Sequence, residues 1–213
     1  VMIDLYTAPT PNGHKVSCTL EALKMEYEVH VVNLMENEQK EPNFLEISPN
    51  GRIPAIVDRS ANNLSIFESG AIMIYLAEKS GKLIPTDANK KAKVLEWLMF
   101  QMGSVGPFMG QVHHFTKFNS GMSEYAEERY LNEAKRLYSV MDKRLANNEW
   151  LNGHSYSIAD IAVWPWTARH DWQTININEY PNVARWYLAM CGRPAVQKGW
   201  NIPPTDQLIP MPS

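Results

Sequence analysis

The chain has 213 residues, of which 45% are hydrophobic and 20% are charged, and its formal net charge at pH 7 is −3. This composition is typical of a globular protein and argues against an intrinsically disordered chain. The acidic balance argues against a nucleic-acid surface, which usually shows a basic excess. No stretch approaches the ~20 apolar residues of a membrane span. The first residues lack the pattern of a secretory signal, so we expect a cytoplasmic protein.

The first part of the chain alternates between strand and helix patterns. Ile3 to Tyr6 and Tyr27 to Leu34 predict two strands, and a helix is predicted between them from about His14 to Met25. Two strands joined through a helix usually pair in parallel. Phe44 to Ile47 predicts one further helical turn.

A hairpin and a helix complete this segment. Ile53 to Val57 and Leu64 to Phe67 predict strands that a short polar turn joins, so we expect them to pair antiparallel. Glu68-Ser69-Gly70 opens a helix that runs to about Lys79. The order β-α-β-α-β-β-α predicts a mixed four-stranded sheet with helices packed on it.

The rest of the chain carries only helical patterns. Helices are predicted at Lys90 to Met102, at Glu124 to Leu145, and at Pro181 to Cys191, which Gly192-Arg193-Pro194 ends. Ser157-Ile158-Ala159-Asp160 predicts a capping box that opens another helix, which Pro165 kinks or ends. We expect a proline-rich coil from Asn201. The predicted domains are therefore 1–83 (α/β), a linker at 84–90, and 91–213 (all-α).

Neither the cysteines nor the histidines predict a metal site. Cys18 and Cys191 form no C-x-x-C and no metal-ligand spacing, so we expect two reduced, buried thiols. His113 and His114 are adjacent, and neighbouring helical residues diverge by ~100°, which suits a shared metal poorly. We therefore expect no metal cofactor.

Three motifs in this order resemble those of the cytosolic glutathione transferases. They are Arg52-Ile53-Pro54-Ala55, Glu68-Ser69-Gly70-Ala71-Ile72 and Ser157-Ile158-Ala159-Asp160. The resemblance spans nearly the whole chain. It implies an N-terminal domain of thioredoxin-like fold, an all-helical C-terminal domain, and glutathione as cosubstrate.

One subgroup fits the sequence better still. The loop Tyr6 to Lys15, the segment Gly106 to Gln111 and the run His113-His114-Phe115 resemble the nu-class bacterial transferases and a related yeast nitrogen regulator. The resemblance implies glutathione-dependent disulfide reduction by a homodimer.

The loop before the first helix offers donors to a glutathione thiolate. Thr10 carries a hydroxyl and Asn12 an amide, and backbone N–H groups are unpaired at a helix start. We expect these two residues to be catalytic. The alternative is structural: Asn12 caps the helix and Thr10 fills the loop. Tyr6 is interpreted as a core residue.

The resemblance also implies a set of glutathione-binding residues. Ile53 and a cis Pro54 would present backbone to the cysteinyl part, Glu68 and Ser69 would hold the γ-glutamyl end, and Gln39 and Arg52 would face the glycine end. Arg129 would reach glutathione across the dimer interface. The alternatives are a plain strand start, a structural cap and solvated surface charges.

His113, His114 and Phe115 are predicted to line a second-substrate pocket or to pack between the domains. Three functions stay open at this point. The first is disulfide reduction with glutathione, the second is conjugation of glutathione to electrophiles, and the third is a non-catalytic binding or regulatory role. The expected substrates are small-molecule or peptide disulfides, or electrophiles.

Overall fold

A four-stranded mixed sheet organises the first part of the computed structural model, which describes residues 2–213. Its strands are β1 (Ile3–Thr7), β2 (Tyr27–Val31), β3 (Ala55–Asp58) and β4 (Leu64–Phe67), and they lie in the order β2-β1-β3-β4. β2 is parallel to β1, whereas β3 is antiparallel to both β1 and β4. The predicted sheet is therefore confirmed.

Helices α1 (Pro11–Leu23), α2 (Pro42–Ile47) and α3 (Ser69–Ser80) accompany this sheet. One apolar cluster joins β1 and β3 to α1 and α3. It consists of Ile3, Leu5, Val16, Leu20, Leu23, Ile56, Ile72 and Leu76. α1 begins three residues earlier than predicted, because Thr10 caps it and Pro11 is compatible with a first helical turn.

β2 and β3 are shorter than predicted, each for a local reason. After Val31 the chain leaves β2 and passes through two 3-10 turns, Leu34–Glu36 and Glu38–Lys40. β3 begins at Ala55 and not at Ile53, since Pro54 has no N–H to offer a strand ladder. The Ile53–Pro54 peptide bond is cis.

The second part of the chain is helical. Its helices are α4 (Ala88–Phe100), α5 (Gly106–Val112), α6 (Glu124–Leu145), α7 (Ile158–Thr167) and α8 (Pro181–Cys191). Wider helical turns follow α4 at Gln101–Val105 and α5 at His113–Phe118. The bounds predicted for α6 and α8 are confirmed. α5 was not predicted, because Gly106, Pro107 and Gly110 weaken its helical pattern.

The capping box of α7 is confirmed. The backbone N–H of Ala159 donates to the Ser157 hydroxyl at 3.2 Å, and the N–H of Ser157 donates to Asp160 Oδ2 at 3.1 Å. The other oxygen of this buried carboxylate accepts from Trp186 Nε1 at 2.9 Å. The helix continues two residues past Pro165 and ends at Thr167.

A last helix, α9 (Pro194–Trp200), follows the predicted stop at Gly192-Arg193-Pro194. It was not predicted: the proline that ends one helical pattern also suits the first turn of the next. α9 packs on α1, where the Ser17 hydroxyl donates to the Gly199 carbonyl at 2.7 Å. The coil predicted from Asn201 is confirmed.

The chain divides into two units. One runs up to Ile84 and includes Arg193–Gln207, and the other comprises Pro85–Gly192 and Leu208–Ser213. α9 thus groups with the sheet, although it lies far from it in sequence. The domain boundaries 1–83, 84–90 and 91–213 stay a prediction. Over residues 2–213, none of the helices has the length and apolarity that crossing a bilayer requires.

Candidate functional site

The strand register brings three predicted site segments to one end of the sheet. Tyr6 of β1 lies opposite Ala55 of β3, and Ala55 lies opposite Phe67 of β4. Thr10 follows the end of β1, Ile53 and Pro54 precede Ala55, and Glu68 follows Phe67. The loop of Thr10, the cis peptide and the start of α3 therefore lie at the same end of the sheet.

Thr10 is the N-cap of α1. Its Oγ1 atom accepts a hydrogen bond from the backbone N–H of Gly13 at 3.1 Å. Asn12 lies inside the first turn, so the alternative in which Asn12 caps the helix is wrong. A hydroxyl that accepts one bond still carries a proton to donate. The cap bond therefore leaves Thr10 able to act as a donor.

Gly13 allows this loop to fold tightly against β1. A Cβ atom at Gly13 would lie 2.3 Å from the Ala8 carbonyl oxygen and 2.6 Å from Thr7 Oγ1. Contacts this close exclude a larger side chain without a shift of the backbone. Gly13 of the loop motif thus has a steric reason, because its lack of a side chain allows the first turn of α1 to lie against Thr7 and Ala8.

A buried serine binds the peptide group that precedes the cis bond. The Ser48 hydroxyl donates to the Arg52 carbonyl at 2.7 Å. Pro54 is buried, Ile53 is half-buried, and the Arg52 side chain is exposed. Ile53 lies just before the strand ladder that begins at Ala55, at the end of the sheet where β1 and β4 also end.

Glu68 has an unusual backbone conformation at the start of α3. Its φ is 70° and its ψ is 112°, which is rare for a residue with a side chain. Such torsions cost about 1–3 kcal/mol and cluster at ligand sites. The Glu68 side chain is exposed, whereas Ser69, the first residue of α3, is 4% exposed.

A buried lysine lies behind Ser69. Lys15 on α1 is 1% exposed, and its Nζ donates to the Ser69 hydroxyl at 3.2 Å. Burial lowers the pKa of Lys15 to about 7, and the Glu68 carboxylate opposes that shift. Sequence reasoning missed this residue. The available signal was that Lys15 is the single Lys, Arg, Asp or Glu residue between Pro11 and Leu20.

Gln39 lies in the turn Glu38–Lys40 and is half-buried. Its Oε1 atom is buried and has no hydrogen-bond partner among residues 2–213. Its backbone carbonyl approaches Gly51, where a Cβ would lie 3.3 Å away. The turn of Gln39 therefore lies close to the segment that precedes Arg52.

Tyr6 packs its ring against neighbouring aromatic side chains of the first unit. Its ring stacks on His30 at a centroid distance of 4.7 Å and lies 6.3 Å from Phe44. Burial raises the pKa of the Tyr6 hydroxyl. Tyr6 is half-buried and packs against the apolar cluster of Val32, Phe44 and Ala55, so it borders the core and does not lie within it as predicted.

Neither cysteine has the properties of a nucleophile. Cys18 is 1% exposed and Cys191 is 8% exposed. Burial raises the pKa of both thiols. Both are thus thiols at neutral pH, and the thiolate is the reactive form.

One group of side chains on the sheet has metal-ligand types at close range. Ligand atoms of Asp4, Glu28 and His30 lie within 4.8 Å of one another. The Arg59 guanidinium, however, binds both oxygens of Asp4 and donates to Glu28 at 3.1 Å. The cluster is therefore an ion-pair network that already contains its cation.

A cavity of about 560 Å³ lies on the α2 side of the sheet. Its floor contains Tyr6, His30 and Phe44, and Glu36, Glu38 and Glu41 lie around it. None of the predicted glutathione-binding residues lines this cavity, so we do not assign it to the candidate site.

The other predicted residues lie in the helical unit. Arg129 on α6 and His114 are exposed, and Phe115 stacks on Tyr130 at 5.7 Å. His113 is 5% exposed, and its Nε2 lies 3.1 Å from Gln173 Nε2.

The surroundings of His113 keep it neutral at pH 7. Burial lowers its pKa to about 4, and the charge of Arg169 acts in the same direction. Its ring stacks on Trp166 at 5.5 Å and meets Trp172 edge-on at 5.4 Å. His113 therefore packs inside the helical unit, while its role beside a second substrate stays a prediction.

Comparison with known proteins identifies two family models on this chain. The glutathione S-transferase N-terminal domain model matches residues 2–78, and the C-terminal domain model matches residues 105–194. The disulfide-bond oxidoreductase YfcG of Escherichia coli (strain K12) is 48% identical over 198 residues, which cover 91% of this chain and 92% of that protein.

Solved structures of glutathione complexes are also similar. A glutathione transferase from Burkholderia graminis, with two glutathione molecules bound per subunit, is 42% identical with a TM-score of 0.90, covering 95% of this chain and 88% of that one. A transferase from Pseudomonas putida, with one glutathione disulfide bound per subunit, is 42% identical with a TM-score of 0.89, covering 95% and 92%.

Proposed function

Because this chain belongs to the glutathione S-transferase family, we propose that it is an enzyme that reduces disulfide bonds with glutathione, whose thiolate it stabilises at Thr10 and Asn12. The observation that carries this proposal is the strand register, which brings the Thr10 loop, the cis peptide at Pro54 and the start of α3 to one end of the sheet. The 48% identity to a disulfide-bond oxidoreductase supports the choice of reaction.

Stabilising a thiolate at this site needs little free energy. A free thiol has a pKa of about 8.5, and lowering it by about two units takes roughly 2.7 kcal/mol of selective stabilisation. One hydrogen bond to a charged group contributes about 1.5–3 kcal/mol, and a helix N-terminus adds about 0.3–1 kcal/mol. The Thr10 hydroxyl at the start of α1 combines both contributions, and the Asn12 amide supplements them.

The remaining residues hold the tripeptide along the same edge. The backbone of Ile53, before Pro54, pairs with the cysteinyl residue like a short added strand. The Ser69 hydroxyl and the first N–H groups of α3 receive the γ-glutamyl carboxylate, and Glu68 receives its ammonium. Gln39 and Arg52 hold the glycine end, where Arg52 pairs with the carboxylate.

The reaction requires two glutathione molecules. The first thiolate attacks one sulfur of the substrate disulfide, forms a mixed disulfide, and releases the other sulfur as a thiolate that takes up a proton. The thiolate of the second glutathione then attacks the glutathione sulfur of the mixed disulfide. Glutathione disulfide forms, and the second substrate thiol leaves. Bound states with two glutathiones or one disulfide, as in the similar structures, suit this cycle.

We extend the proposal to the assembly and the second substrate. The protein acts as a cytoplasmic homodimer, in which the exposed Arg129 of α6 reaches the glutathione of the partner subunit. His114 and Phe115 line the pocket for the disulfide, with His113 packed behind them in the helical unit. The family membership supports these assignments.

Conjugation of glutathione to electrophiles is the second candidate. The same thiolate would carry it out, and similar structures are named glutathione transferases.

The test is reduction of a small model disulfide by glutathione, with glutathione disulfide recycled by an NADPH-dependent reductase. We expect a rate well above the uncatalysed background. A background rate in protein that still binds glutathione would contradict disulfide reduction and favour conjugation, to be assayed with a small aromatic electrophile. The absence of glutathione binding would contradict the site itself.

A further inference from the structure

We propose that Lys15 is a positioning residue for the γ-glutamyl end of glutathione, and that it takes up a proton when the ligand carboxylate binds at Ser69. The inference rests on the proposed function, which supplies the subsite at Glu68 and Ser69. It adds a residue outside the ligand contacts, and it makes ligand affinity depend on pH.

The geometry links Lys15 to the ligand through one hydroxyl. The Lys15 side chain is 1% exposed, and its Nζ donates to Ser69 Oγ at 3.2 Å. A hydroxyl that accepts this bond can donate its own proton to a carboxylate on the other side. The Ser69 hydroxyl is therefore a stronger donor to an incoming carboxylate when Lys15 is charged than when Lys15 is neutral.

Glu68 is the charged group that acts most directly on Lys15. Burial lowers the pKa of Lys15 to about 7, and Glu68 raises it in part. Such an amine loses its proton far more readily near neutral pH than the amine of a solvated lysine.

The other titratable groups on the elements around α1 have partners or lie elsewhere. Asp4 of β1 pairs with Arg59, and Asp58 of β3 pairs with Lys79. α1 itself carries Cys18, His14, which stacks on Trp200, and Glu21, which accepts from the Tyr27 hydroxyl. α3 carries Tyr75, which donates to Asp58, and Glu78 and Lys79 in its last turn, and α9 carries the exposed Lys198.

A bound carboxylate next to Ser69 brings a negative charge close to Lys15 and raises its pKa. The neutral fraction of the lysine must then take up a proton on binding. With a starting pKa of about 7, the uptake is about three-quarters of a proton near pH 7.5 and close to zero near pH 5.5. Affinity from this source falls about fivefold between pH 7 and 8.

Isothermal titration calorimetry with S-methylglutathione tests this coupling. The ligand has no ionisable thiol, so its binding reports no thiol proton. Measurements in buffers of different ionisation enthalpy give the number of protons taken up. We expect uptake in the wild type near pH 7.5 and little near pH 5.5.

Two substitutions separate charge from shape. Lys15→Met keeps an unbranched side chain as far as Cε and removes the ammonium group, so we expect weaker binding and no proton uptake beyond that of the ligand itself. Lys15→Arg stays protonated, so we expect binding that no longer depends on pH between 6 and 8. Thermal unfolding of each variant shows whether it is folded.

Each outcome has a defined meaning. Equal proton uptake in the wild type and in Lys15→Met would overturn the inference while leaving the binding site intact. If neither variant folds, the wild type still provides a test. An absence of proton uptake by the wild type near pH 7.5 would also overturn the inference. Failure of the wild type to bind S-methylglutathione, or unchanged affinity in Ser69→Ala, would instead contradict the proposed subsite.

Discussion

Thr10 accepts a hydrogen bond from the backbone N–H of Gly13 at 3.1 Å and so caps the helix that opens the candidate site. The same hydroxyl is the proposed donor to the glutathione thiolate. The lone pair of this hydroxyl stabilises the fold, the proposal assigns its proton to the thiolate, and substitutions can separate the two roles.

Thr10→Val removes both roles. Losing the donor to the thiolate costs about 1.5–3 kcal/mol, so we expect kcat/KM for a model disulfide to fall roughly 10- to 150-fold. Losing the cap costs about 1 kcal/mol of stability. Steady-state kinetics and thermal unfolding measure the two effects.

Two variants serve as controls for this substitution. Thr10→Ser keeps the hydroxyl and should retain most activity. Thr10→Asp keeps a capping oxygen but places a negative charge beside the thiolate, so it should be stable and poorly active. Full activity in Thr10→Asp would show that the side chain acts only as a cap.

The double variant Cys18→Ala, Cys191→Ala tests whether the enzyme uses its own sulfur. Both thiols are buried and have raised pKa values, so glutathione must supply the chemistry. We expect an unchanged rate of disulfide reduction, measured in the coupled NADPH assay. A large loss of rate in a variant that unfolds like the wild type would mean that the nucleophile is wrongly assigned.

Gly199→Ala probes the contact between α9 and α1. A Cβ at this position would lie 2.5 Å from Cys18 Sγ and 2.6 Å from the Cys18 backbone nitrogen. Overpacking of this kind costs about 1–3 kcal/mol, and each kcal/mol lowers Tm by about 2–4 °C in a chain of this size. Differential scanning calorimetry measures the shift. Gly103→Ala is the matched control, since nothing lies within 4 Å of its Cβ.

Asp58 couples the stability of the first unit to pH. Burial raises the pKa of this carboxyl, but hydrogen bonds from Lys79, Ser60 and Tyr75 outweigh burial and hold the pKa well below its ordinary value. A depressed native pKa gives stability that is present above the unfolded pKa of about 3.9 and is lost as pH falls below it.

We therefore expect Asp58→Asn to lower the free energy of unfolding at pH 7 by about 1.5–3 kcal/mol. The stability of the variant should also change less than that of the wild type on acidification below pH 4. Urea unfolding at several pH values measures both. Parallel pH profiles for the two proteins would show that other carboxyls dominate the acid response.

The sequence predicted the architecture well where local signals were strong. The alternation of strands and helices, the hairpin of β3 and β4, and the Ser157–Asp160 capping box all depend on short-range patterns. α9 was missed, because its proline was interpreted as a stop and its packing on α1 connects residues 182 positions apart. Long-range contacts of this kind leave no local pattern.

The candidate site was only partly predictable. Motifs predict Thr10, Pro54 and Ser69 as site residues, but the strand register is what brings them to one end of the sheet. Lys15 was overlooked, since a lysine in a helix is normally solvated and its burial depends on α3 packing over α1. The structural alternative considered for this loop placed the cap at Asn12, whereas the cap is Thr10, because Pro11 concealed the true start of the helix.

The most direct test of the central claim is the pKa of the glutathione thiol while it is bound to the protein. Ultraviolet absorbance of the thiolate, followed against pH in the wild type and in Thr10→Val, gives this value. The account predicts a bound thiol pKa about two units below the free value of about 8.5, and a return toward that value in Thr10→Val. An unshifted pKa in the wild type, or equal values in both proteins, would contradict thiolate stabilisation by Thr10.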